Sequence, residues 1–311
     1  MSQTPGRVIH TGQAVVDLVM EISALPVAGS DVFARSASFT AGGGFNVMAA
    51  AARDGAEVLY VGGHGTGPFG DIVRAAMDRT GIQVQSARNP SMDTGFSIAL
   101  VDDAAERTFI SRLGAEGHVV VDDYRASPLR GGDVVYISGY SLLHEANRTA
   151  LIDWVPTIPK GILVVVDPSP LVAEISLGAL AVVRDRADLW STNRREAGLL
   201  IGQPNLDVAE LAARVRDRVD CTAILRDGGD GCWIAPRNPS APVLHVPGQA
   251  VAAVDTNGAG DTHTGVVCAE LALGLDVASA ARRANIAASI SVTRQGPATS
   301  PSRAEVDALL V

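Results

Sequence analysis

Short apolar runs rich in valine and isoleucine alternate along the chain with alanine-rich segments of helical periodicity. The runs predict buried strands, and the alanine-rich segments predict helices between them. Strands that alternate with helices form βαβ units, so the pattern predicts an α/β fold with a mostly parallel sheet covered on both faces. The predicted strands are residues 8–16, 58–62, 134–138, 162–167, 189–191, 222–225 and 232–234, and the predicted helices are residues 46–54, 71–80, 143–154, 206–219, 258–273 and 276–292.

Two segments interrupt this alternation. Residues 17–40 show no helical pattern, and two runs of strand character, 96–102 and 107–112, flank the polar turn 103–106 and predict a hairpin. We interpret both segments as a small β lid beside the main sheet; ordinary surface loops are the alternative. The predicted domains are therefore an αβα domain of residues 1–16, 41–92 and 113–311, and a lid of residues 17–40 and 93–112.

The amino-acid composition indicates a globular protein and argues against nucleic-acid and membrane partners. The chain has 311 residues, of which 47% are hydrophobic, enough for one large core. Acidic residues number 34 against 25 basic ones, and the net charge of −9 argues against a nucleic-acid partner. The apolar runs are all shorter than the roughly 18 residues of a membrane span, and the first residues carry no secretory or transit signal, so we expect a cytoplasmic protein without a membrane partner.

Lysine and cysteine usage exclude several chemistries. Lys160 is the only lysine, which rules out a Walker A loop with its Gly-Lys-Ser/Thr sequence. The three cysteines are far apart and form no Cys-x-x-Cys pair, so neither a zinc site nor a disulfide framework is predicted.

The strongest local signal is Asp255-Thr256-Asn257-Gly258-Ala259-Gly260-Asp261, which precedes a predicted helix. Small residues at 258–260 let consecutive backbone N–H groups face a ligand, and the helix adds the positive end of its dipole. Asp261 then lies in the first turn, where a carboxylate can take a proton from a hydroxyl while the N–H groups bind a phosphoryl group. The alternative is a plain helix start with the aspartate as a dipole partner.

Two weaker motifs also begin helices. In Gly42-Gly43-Gly44-Phe45-Asn46 the glycines allow close approach of a ligand and the amide of Asn46 can bind sugar hydroxyls; the alternative is a tight turn with an Asn cap. In Asn193-Arg194-Arg195-Glu196 an amide and a carboxylate on one side of the first turn can order water around Mg²⁺, and a capping box is the alternative.

A Gly-x-Gly-x-x-Gly pattern at residues 65–70 raises the possibility of a dinucleotide site and a nicotinamide-dependent oxidoreductase. It does not lie in the first βα unit, Pro68 removes a backbone donor from the turn, and no acidic residue ends a clear following strand. The pattern is therefore interpreted as a loop, with the oxidoreductase kept as the alternative from another class.

Taken together, the motifs resemble those of the ribokinase or PfkB family of carbohydrate kinases. The family's Asp-Thr-x-Gly-Ala-Gly-Asp signature stands at 255–261, and the other similar segments, in chain order, are residues 42–46, 61–70, 193–196, 226–231 and 284–296. The resemblance extends from about residue 8 to residue 300.

This resemblance implies a three-layer αβα ribokinase-like fold with a small β-sheet lid, and an ATP-dependent kinase that acts on the hydroxymethyl group of a sugar. It implies that Asp261 is the general base and that Gly258, Ala259 and Gly260 form the anion hole. Asp17, Gly43 and Asn46 are the expected substrate-binding residues. ATP and Mg²⁺ are expected near Asn193 and Glu196, which would act on Mg²⁺ through water, and near Arg226, Gly228, Gly231 and Asn285; Asp255 is expected to help order a monovalent cation such as K⁺.

Departures from the family pattern bear on the substrate. The cluster 41–44 lacks the lysine that phosphofructokinase-like members carry, which predicts an unphosphorylated acceptor. Gly139-Tyr140 stands where ribokinases have an acidic residue, and Arg226-Asp227 replaces a small or apolar pair in the nucleotide motif.

Two further alternatives remain on the same fold. One is a nucleoside kinase, in which Phe33, Phe96 or Phe109 would supply an aromatic contact to the base. The other is a sugar-binding protein without catalytic activity. Because flaps with unpaired strand edges often pair with a second copy, we expect a homodimer through the lid.

Overall fold

Parallel strands joined by helices form the central sheet, as the alternation of apolar runs predicts. The computed structural model describes residues 5–104 and 106–310. Its strands are β1 (Arg7–His10), β2 (Ala14–Glu21), β3 (Ser36–Gly43), β4 (Glu57–Tyr60), β5 (His64–Gly65), β6 (Gln83–Val84), β7 (Arg88–Asn89), β8 (Phe96–Val101), β9 (Arg107–Arg112), β10 (Val134–Ser138), β11 (Leu163–Asp167), β12 (Leu189–Asn193), β13 (Thr222–Arg226), β14 (Gly231–Ala235) and β15 (Leu244–Pro247). Its α-helices are α1 (Gly44–Arg53), α2 (Pro68–Thr80), α3 (Val121–Arg125), α4 (Glu145–Trp154), α5 (Leu177–Arg186), α6 (Arg194–Ile201), α7 (Val208–Val219), α8 (Ala259–Ala272), α9 (Val277–Ser291) and α10 (Arg303–Asp307).

The large sheet has the strand order β15-β14-β13-β12-β11-β10-β1-β4-β6. Its pairs are parallel except for β13 with β14 and β14 with β15, which are antiparallel. In the central strands, alternate residues enter two separate cores: in β10, Val134 packs with the core of α1, α8 and α9, whereas Val135 packs with that of α4, α5 and α7. This three-layer αβα arrangement confirms the predicted fold class.

A second sheet of four strands, in the order β3-β2-β8-β9, forms the lid. The predicted hairpin is confirmed as β8 and β9, which pair antiparallel. In the register across the lid, Asp17 pairs with Ser97, which pairs with Ser111, and the two serine hydroxyls lie 2.9 Å apart. Because every second residue of a strand shares a face, Arg107 and Phe109 lie on the same face of the lid as Asp17.

The predicted strand at residues 8–16 is wrong, because the structure divides it between two sheets. β1 ends at His10 in the main sheet, and β2 begins at Ala14 in the lid. The backbone N–H of Gly12 donates to Nδ1 of the His10 ring at 3.2 Å, and a Cβ on Gly12 would lie 2.7 Å from that ring, so the chain turns here at a glycine. The apolar pattern continues across this turn and conceals it.

The other predicted strands and all six predicted helices form within three residues of their expected bounds. The helix predicted to begin at Asn193 forms as α6, whereas the pattern did not predict α3, α5 and α10 of the described chain. The lid sheet includes residues 14–16 and 41–43, so it extends past the predicted boundaries, and the division into two domains stays a prediction. Residue 105 of the predicted turn, and residues 1–4 and 311 of the predicted main domain, lie outside the described residues. Within the described ranges, no helix has the length and apolar character needed to cross a membrane.

Candidate active site

Three polar residues end neighbouring strands at the carboxyl edge of the main sheet. Asp167 ends β11, Asn193 ends β12 and Arg226 ends β13, and the register pairs Asn193 directly with Arg226. In open α/β sheets this edge is where ligands bind. The N-terminus of α8 meets the same edge, because Arg226 reaches the Thr264 hydroxyl in its second turn.

The start of α8 leaves backbone N–H groups available. Gly258 is the N-cap with φ +76°, and a Cβ there would lie 2.0 Å from the carbonyl oxygen of Pro297, so the turn requires glycine. No side chain among the described residues caps this N-terminus. At Gly260 the nearest neighbour of an added Cβ would be the Arg226 guanidinium, at an ordinary contact distance of 3.6 Å, so packing does not require that glycine. A small residue at 260 instead leaves room for an anion to approach the helix start.

Asp261 lies in the first turn of α8 and remains partly exposed. Its Oδ2 accepts a hydrogen bond from Nδ2 of Asn46 at 3.0 Å. Burial raises the pKa of Asp261; the hydrogen bond from Asn46 lowers it, the charge of Asp167 raises it and Arg226 lowers it, with a net upward shift. The Oδ1 of Asn46 is buried without a partner among the described residues, which leaves an acceptor beside the carboxylate.

Asp17 faces Asp261 from the lid. Burial, followed by the negative charge of Asp261, raises the pKa of Asp17 to about 6. A Cβ on Gly42 would lie 1.9 Å from Oδ2 of Asp17, so this glycine makes space for the carboxylate. Gly43, with φ +58°, is the N-cap of α1, whose first turns carry Asn46. The structure therefore brings the predicted substrate residues Asp17, Gly43 and Asn46 together near Asp261.

Arg226 is the centre of a buried polar cluster. Its Nη1 donates to Oδ2 of Asp167 at 2.9 Å, to Oγ of Ser191 at 3.0 Å and to Oγ1 of Thr264. Its Nη2 lies 3.5 Å from Oε2 of Glu196. One guanidinium thus joins two carboxylates to the first turns of α8.

Asn193 and Glu196 form the capping box that was the alternative interpretation of their spacing. Oδ1 of Asn193 accepts from the Glu196 N–H, and Oε2 of Glu196 accepts from the Asn193 N–H, both at 2.9 Å. Burial and then the charge of Asp167 raise the pKa of Glu196, although Arg226 lowers it. The described residues contain no group of three or more metal-ligating side chains. Glu196 is the carboxylate of this box that could hold Mg²⁺ through water, since that ion needs only one or two protein carboxylates.

The other predicted nucleotide residues lie next to Arg226, on the side of the sheet formed by β14 and β15. Gly231 has φ +92°, and a Cβ there would lie 2.3 Å from the Gly248 nitrogen, whereas Gly228 is exposed with φ +59°. Nδ2 of Asn285 donates to the carbonyls of Val246 at 2.9 Å and Pro247 at 3.2 Å. Asn285 therefore ties α9 to β15, and the nucleotide role of all three residues stays a prediction.

Asp255 has contacts that the sequence did not reveal. Its Oδ1 accepts from Nη2 of Arg107 at 2.9 Å and from the Asn257 N–H at 3.0 Å. Its Oδ2 accepts from the Gly296 N–H at 3.1 Å and from Nε2 of Gln295 at 3.4 Å.

Several functional candidates were missed by the sequence reasoning. Asp167 carried a usable signal, since it ends a predicted strand and precedes a proline. Ser191, Thr264 and Arg107 gave none, because their partners lie 35, 38 and 148 residues away along the chain.

The glycine pattern at 65–70 does not form an anion site. Asp93 occupies the N-terminus of α2, where its Oδ2 accepts from the Phe69 N–H at 3.1 Å and its Oδ1 from the Gly70 N–H at 2.8 Å. A carboxylate already fills the place that a pyrophosphate would need, which argues against the oxidoreductase alternative.

The comparison with known families decides the class. The sequence model of one family, described as pfkB family carbohydrate kinase, matches residues 7–304. This chain belongs to the pfkB family of carbohydrate kinases. As a pfkB kinase it is a phosphotransferase with an alcohol group as acceptor, which confirms the predicted family and enzyme class and excludes the oxidoreductase.

Individual relatives agree with the pfkB assignment. The chain is 30% identical over 306 residues to the uncharacterized sugar kinase YegV of Escherichia coli strain K12, with 97% of this chain and 94% of that protein covered. A structure of Arabidopsis thaliana ribokinase complexed with ribose and ATP has a TM-score of 0.81 at 22% identity and 99% coverage of both chains. Adenosine kinase from Sinorhizobium meliloti has a TM-score of 0.82 at 20% identity, covering 99% of this chain and all of that one. These neighbours confirm the ribokinase-like fold of this pfkB kinase.

Proposed function

We propose that this kinase transfers the γ-phosphoryl group of ATP to a hydroxymethyl group of an unphosphorylated sugar or sugar-like molecule. The observation that carries the proposal is the position of Asp261, which lies in the same first turn of α8 as the uncapped N–H groups and is hydrogen-bonded to Asn46. A base and an anion hole within one helical turn are what phosphoryl transfer to an alcohol requires. The ATP complex of the similar Arabidopsis ribokinase supports the choice of donor.

Each residue then has a defined task. Asp261 takes the proton from the acceptor hydroxyl, and the N–H groups around Gly258, Ala259 and Gly260 stabilise charge on the transferring phosphoryl group. Asp17, with Gly43 and Asn46 beside it, orients the acceptor by accepting hydrogen bonds from its other hydroxyls. Arg226 adds a fixed positive charge next to the helix start, within the buried cluster that also contains Asp167 and Glu196.

The Mg²⁺ ion is expected next to Glu196 and Asn193, held through water. When bound, it neutralises charge on the phosphates of the nucleotide. Glu196 remains anchored by the capping box, so it can order such water without moving. Gly228, Gly231 and Asn285 are proposed to line the nucleotide pocket.

A panel of acceptors tests the proposal directly. ADP release is measured with free aldoses and ketoses, with the matching sugar phosphates and with nucleosides. We expect kcat/KM for the best free sugar to exceed that of its phosphorylated counterpart by at least about tenfold, or 1.4 kcal/mol. The physical reason is that Asp17 and Asp261 place two carboxylates where the acceptor binds. Their negative charge would repel a phosphate group carried by the acceptor itself.

The ADP must be matched by phosphorylated product, since background ATP hydrolysis also releases ADP. A preference for sugar phosphates would contradict the proposed substrate class, and no turnover on any acceptor would favour the non-catalytic alternative.

A nucleoside is the second candidate acceptor. Phe109 favours it, because this ring lies on the lid face that carries Asp17 and is 59% exposed, so it is available to stack on a base. The other two aromatic candidates fit less well: Phe33 is 89% exposed in the segment between β2 and β3, and Phe96 packs against Phe69 with ring centroids 5.2 Å apart.

The raised pKa of Asp17 gives a pH prediction. With a pKa of about 6, Asp17 is ionised at pH 7.5 and about nine-tenths protonated at pH 5, where it no longer accepts hydrogen bonds as a carboxylate. We expect KM for the acceptor to rise about tenfold as pH falls from 7.5 to 5. Steady-state kinetics at saturating ATP measure this, and Asp17→Asn should have a high acceptor KM at both pH values. An acceptor KM that stays flat across this range in the wild type would contradict the role of Asp17.

We also propose a homodimer through the lid and a cytoplasmic location. A row of apolar side chains crosses all four lid strands on the face opposite Asp17: Phe39, Leu18, Ile98 and Ile110. Phe39 and Ile110 are more than half exposed, and a second lid could cover them. The location follows from the proposed use of ATP as donor.

A further inference from the structure

The carboxylate of Asp255 is fully supplied with donors from the chain itself. Its side chain is only 3% exposed, and each of its oxygens accepts two hydrogen bonds: from Arg107 and the Asn257 N–H on one oxygen, and from Gln295 and the Gly296 N–H on the other. A carboxylate has about four lone-pair positions, and all four are used. Burial raises the pKa of Asp255, but the backbone N–H groups of Asn257 and Gly296 and the guanidinium of Arg107 lower it, and the net shift is downward.

The four donors come from three separate parts of the fold. Arg107 begins β9 of the lid, Asn257 lies in the turn that starts α8, and Gln295 and Gly296 lie in the loop after α9. The turn and the loop are also joined by backbone, since the N–H groups of Val254 and Asp255 both donate to the carbonyl of Val292, at 2.7 and 3.1 Å. Asp255 therefore attaches the lid, through Arg107, to the turn that forms the anion hole.

The contacts conflict with a monovalent cation bound to this carboxylate. An alkali cation is bound by oxygen atoms that direct lone pairs toward it. Every lone-pair position of Asp255 faces an N–H group, and one of those groups carries a full positive charge. A K⁺ ion could reach the carboxylate only by displacing Arg107, so the predicted role of Asp255 in a cation loop does not fit this geometry.

We propose that Arg107 takes the place of a monovalent cation at Asp255, so that this kinase needs no K⁺ and its anion-hole turn is held in position by the lid. The proposal rests on the proposed function for its kinetic consequences, but its structural part concerns ion binding and stability alone. Arg107 acts here as a positioning residue, because it reaches the anion hole through Asp255 and the Asn257 backbone. The ion pair is strong for a partly exposed arginine, since its partner is buried and both groups are charged.

The test compares KCl with choline chloride at equal ionic strength, in the wild type, Arg107→Ala, Arg107→Lys and Arg112→Ala. Arg112 is the matched control, because it is an exposed arginine of the same strand on the opposite face. For the wild type we expect kcat and the thermal unfolding temperature to be the same in both salts, with kcat within twofold. For Arg107→Ala in choline chloride we expect kcat to fall at least fivefold and the unfolding temperature to drop, with KCl restoring part of both. Arg107→Lys should lie nearer the wild type, and Arg112→Ala should match it.

Either of two results would overturn the proposal. One is a wild-type protein that KCl activates fivefold or more, or stabilises when choline chloride does not. The other is an Arg107→Ala variant with wild-type kcat and unfolding temperature in both salts. If no acceptor is phosphorylated at all, the proposed function fails, and the unfolding temperatures in the two salts still decide whether Asp255 binds K⁺ or is satisfied by Arg107.

Discussion

Replacing Asp261 with asparagine is expected to lower kcat by at least about a hundredfold while the protein still folds. An amide has the shape of the carboxylate but cannot take the proton from the substrate hydroxyl. General-base catalysis contributes about 10² to 10⁴ in rate. The substitution should not destabilise the fold, because the raised pKa of Asp261 shows that the folded protein disfavours its charged form. The measurements are single-turnover and steady-state rates at pH 7.5 and thermal unfolding.

Asp71→Asn is the matched control for Asp261→Asn. Asp71 is also an acidic residue in the first turn of a helix, α2, but its side chain is 75% exposed and it pairs with Arg74. Its replacement should leave kcat within about twofold, since surface changes of this kind have small effects. ADP binding by Asp261→Asn should also be unchanged. A kcat for Asp261→Asn within tenfold of the wild type would show that the base lies elsewhere.

The main sheet and most of its helices were predictable because their signals are local. A buried strand of five residues and an alanine-rich helix can each be recognised within a short window of sequence. The glycine that starts α8 is required by the backbone conformation at that same residue. Gly258 and Asp261 could therefore be placed from one heptapeptide. The capping box at Asn193 was equally local, and both of its partners lie within four residues.

What could not be predicted depends on contacts between distant segments. The break after His10 lies inside an apolar run, and only the lid register explains why Ala14 belongs to another sheet. The sequence gave no indication of the ion pair between Arg107 and Asp255. Arg107 lies on a strand in which every residue is exposed, so nothing suggests a buried partner in the turn before α8. For Arg226 the sequence gave the departure from the family pattern but not its consequence, which depends on Asp167 at the end of β11 and Glu196 in the first turn of α6.

The replacement of Arg226 by methionine is expected to lower kcat about a hundredfold at pH 7.5. The guanidinium lies beside the helix start, 3.6 Å from the place of a Cβ on Gly260, so it adds positive charge where the phosphoryl group is expected. Removing one fixed donor at such a position typically costs 10² to 10³ in rate. The loss leaves Asp167 and Glu196 without their shared counter-charge.

The same substitution should change the pH profile in a defined direction. Arg226 lowers the pKa of Asp261, so its removal raises that pKa further. The base must be ionised to act, and activity is lost as pH falls through its pKa. The acidic limb of kcat against pH should therefore move to higher pH in Arg226→Met, and part of the lost activity should return at pH 8.5 to 9.

Stability must be separated from catalysis in Arg226→Met, because removing one partner of a buried ion pair costs about 3 to 5 kcal/mol. A thermal unfolding measurement identifies a temperature at which the variant is folded, and all rates are compared at that temperature.

Arg226→Lys keeps the charge without the guanidinium fork, so it should retain the wild-type acidic limb with an intermediate kcat. Arg214→Met, which removes an arginine paired with Glu210 on the surface of α7, should behave as the wild type. If Arg226→Met is folded and has the wild-type kcat and acidic limb, then Arg226 has only a structural role at the ends of the strands. The positive charge beside the anion hole must then come from the helix and the metal ion alone.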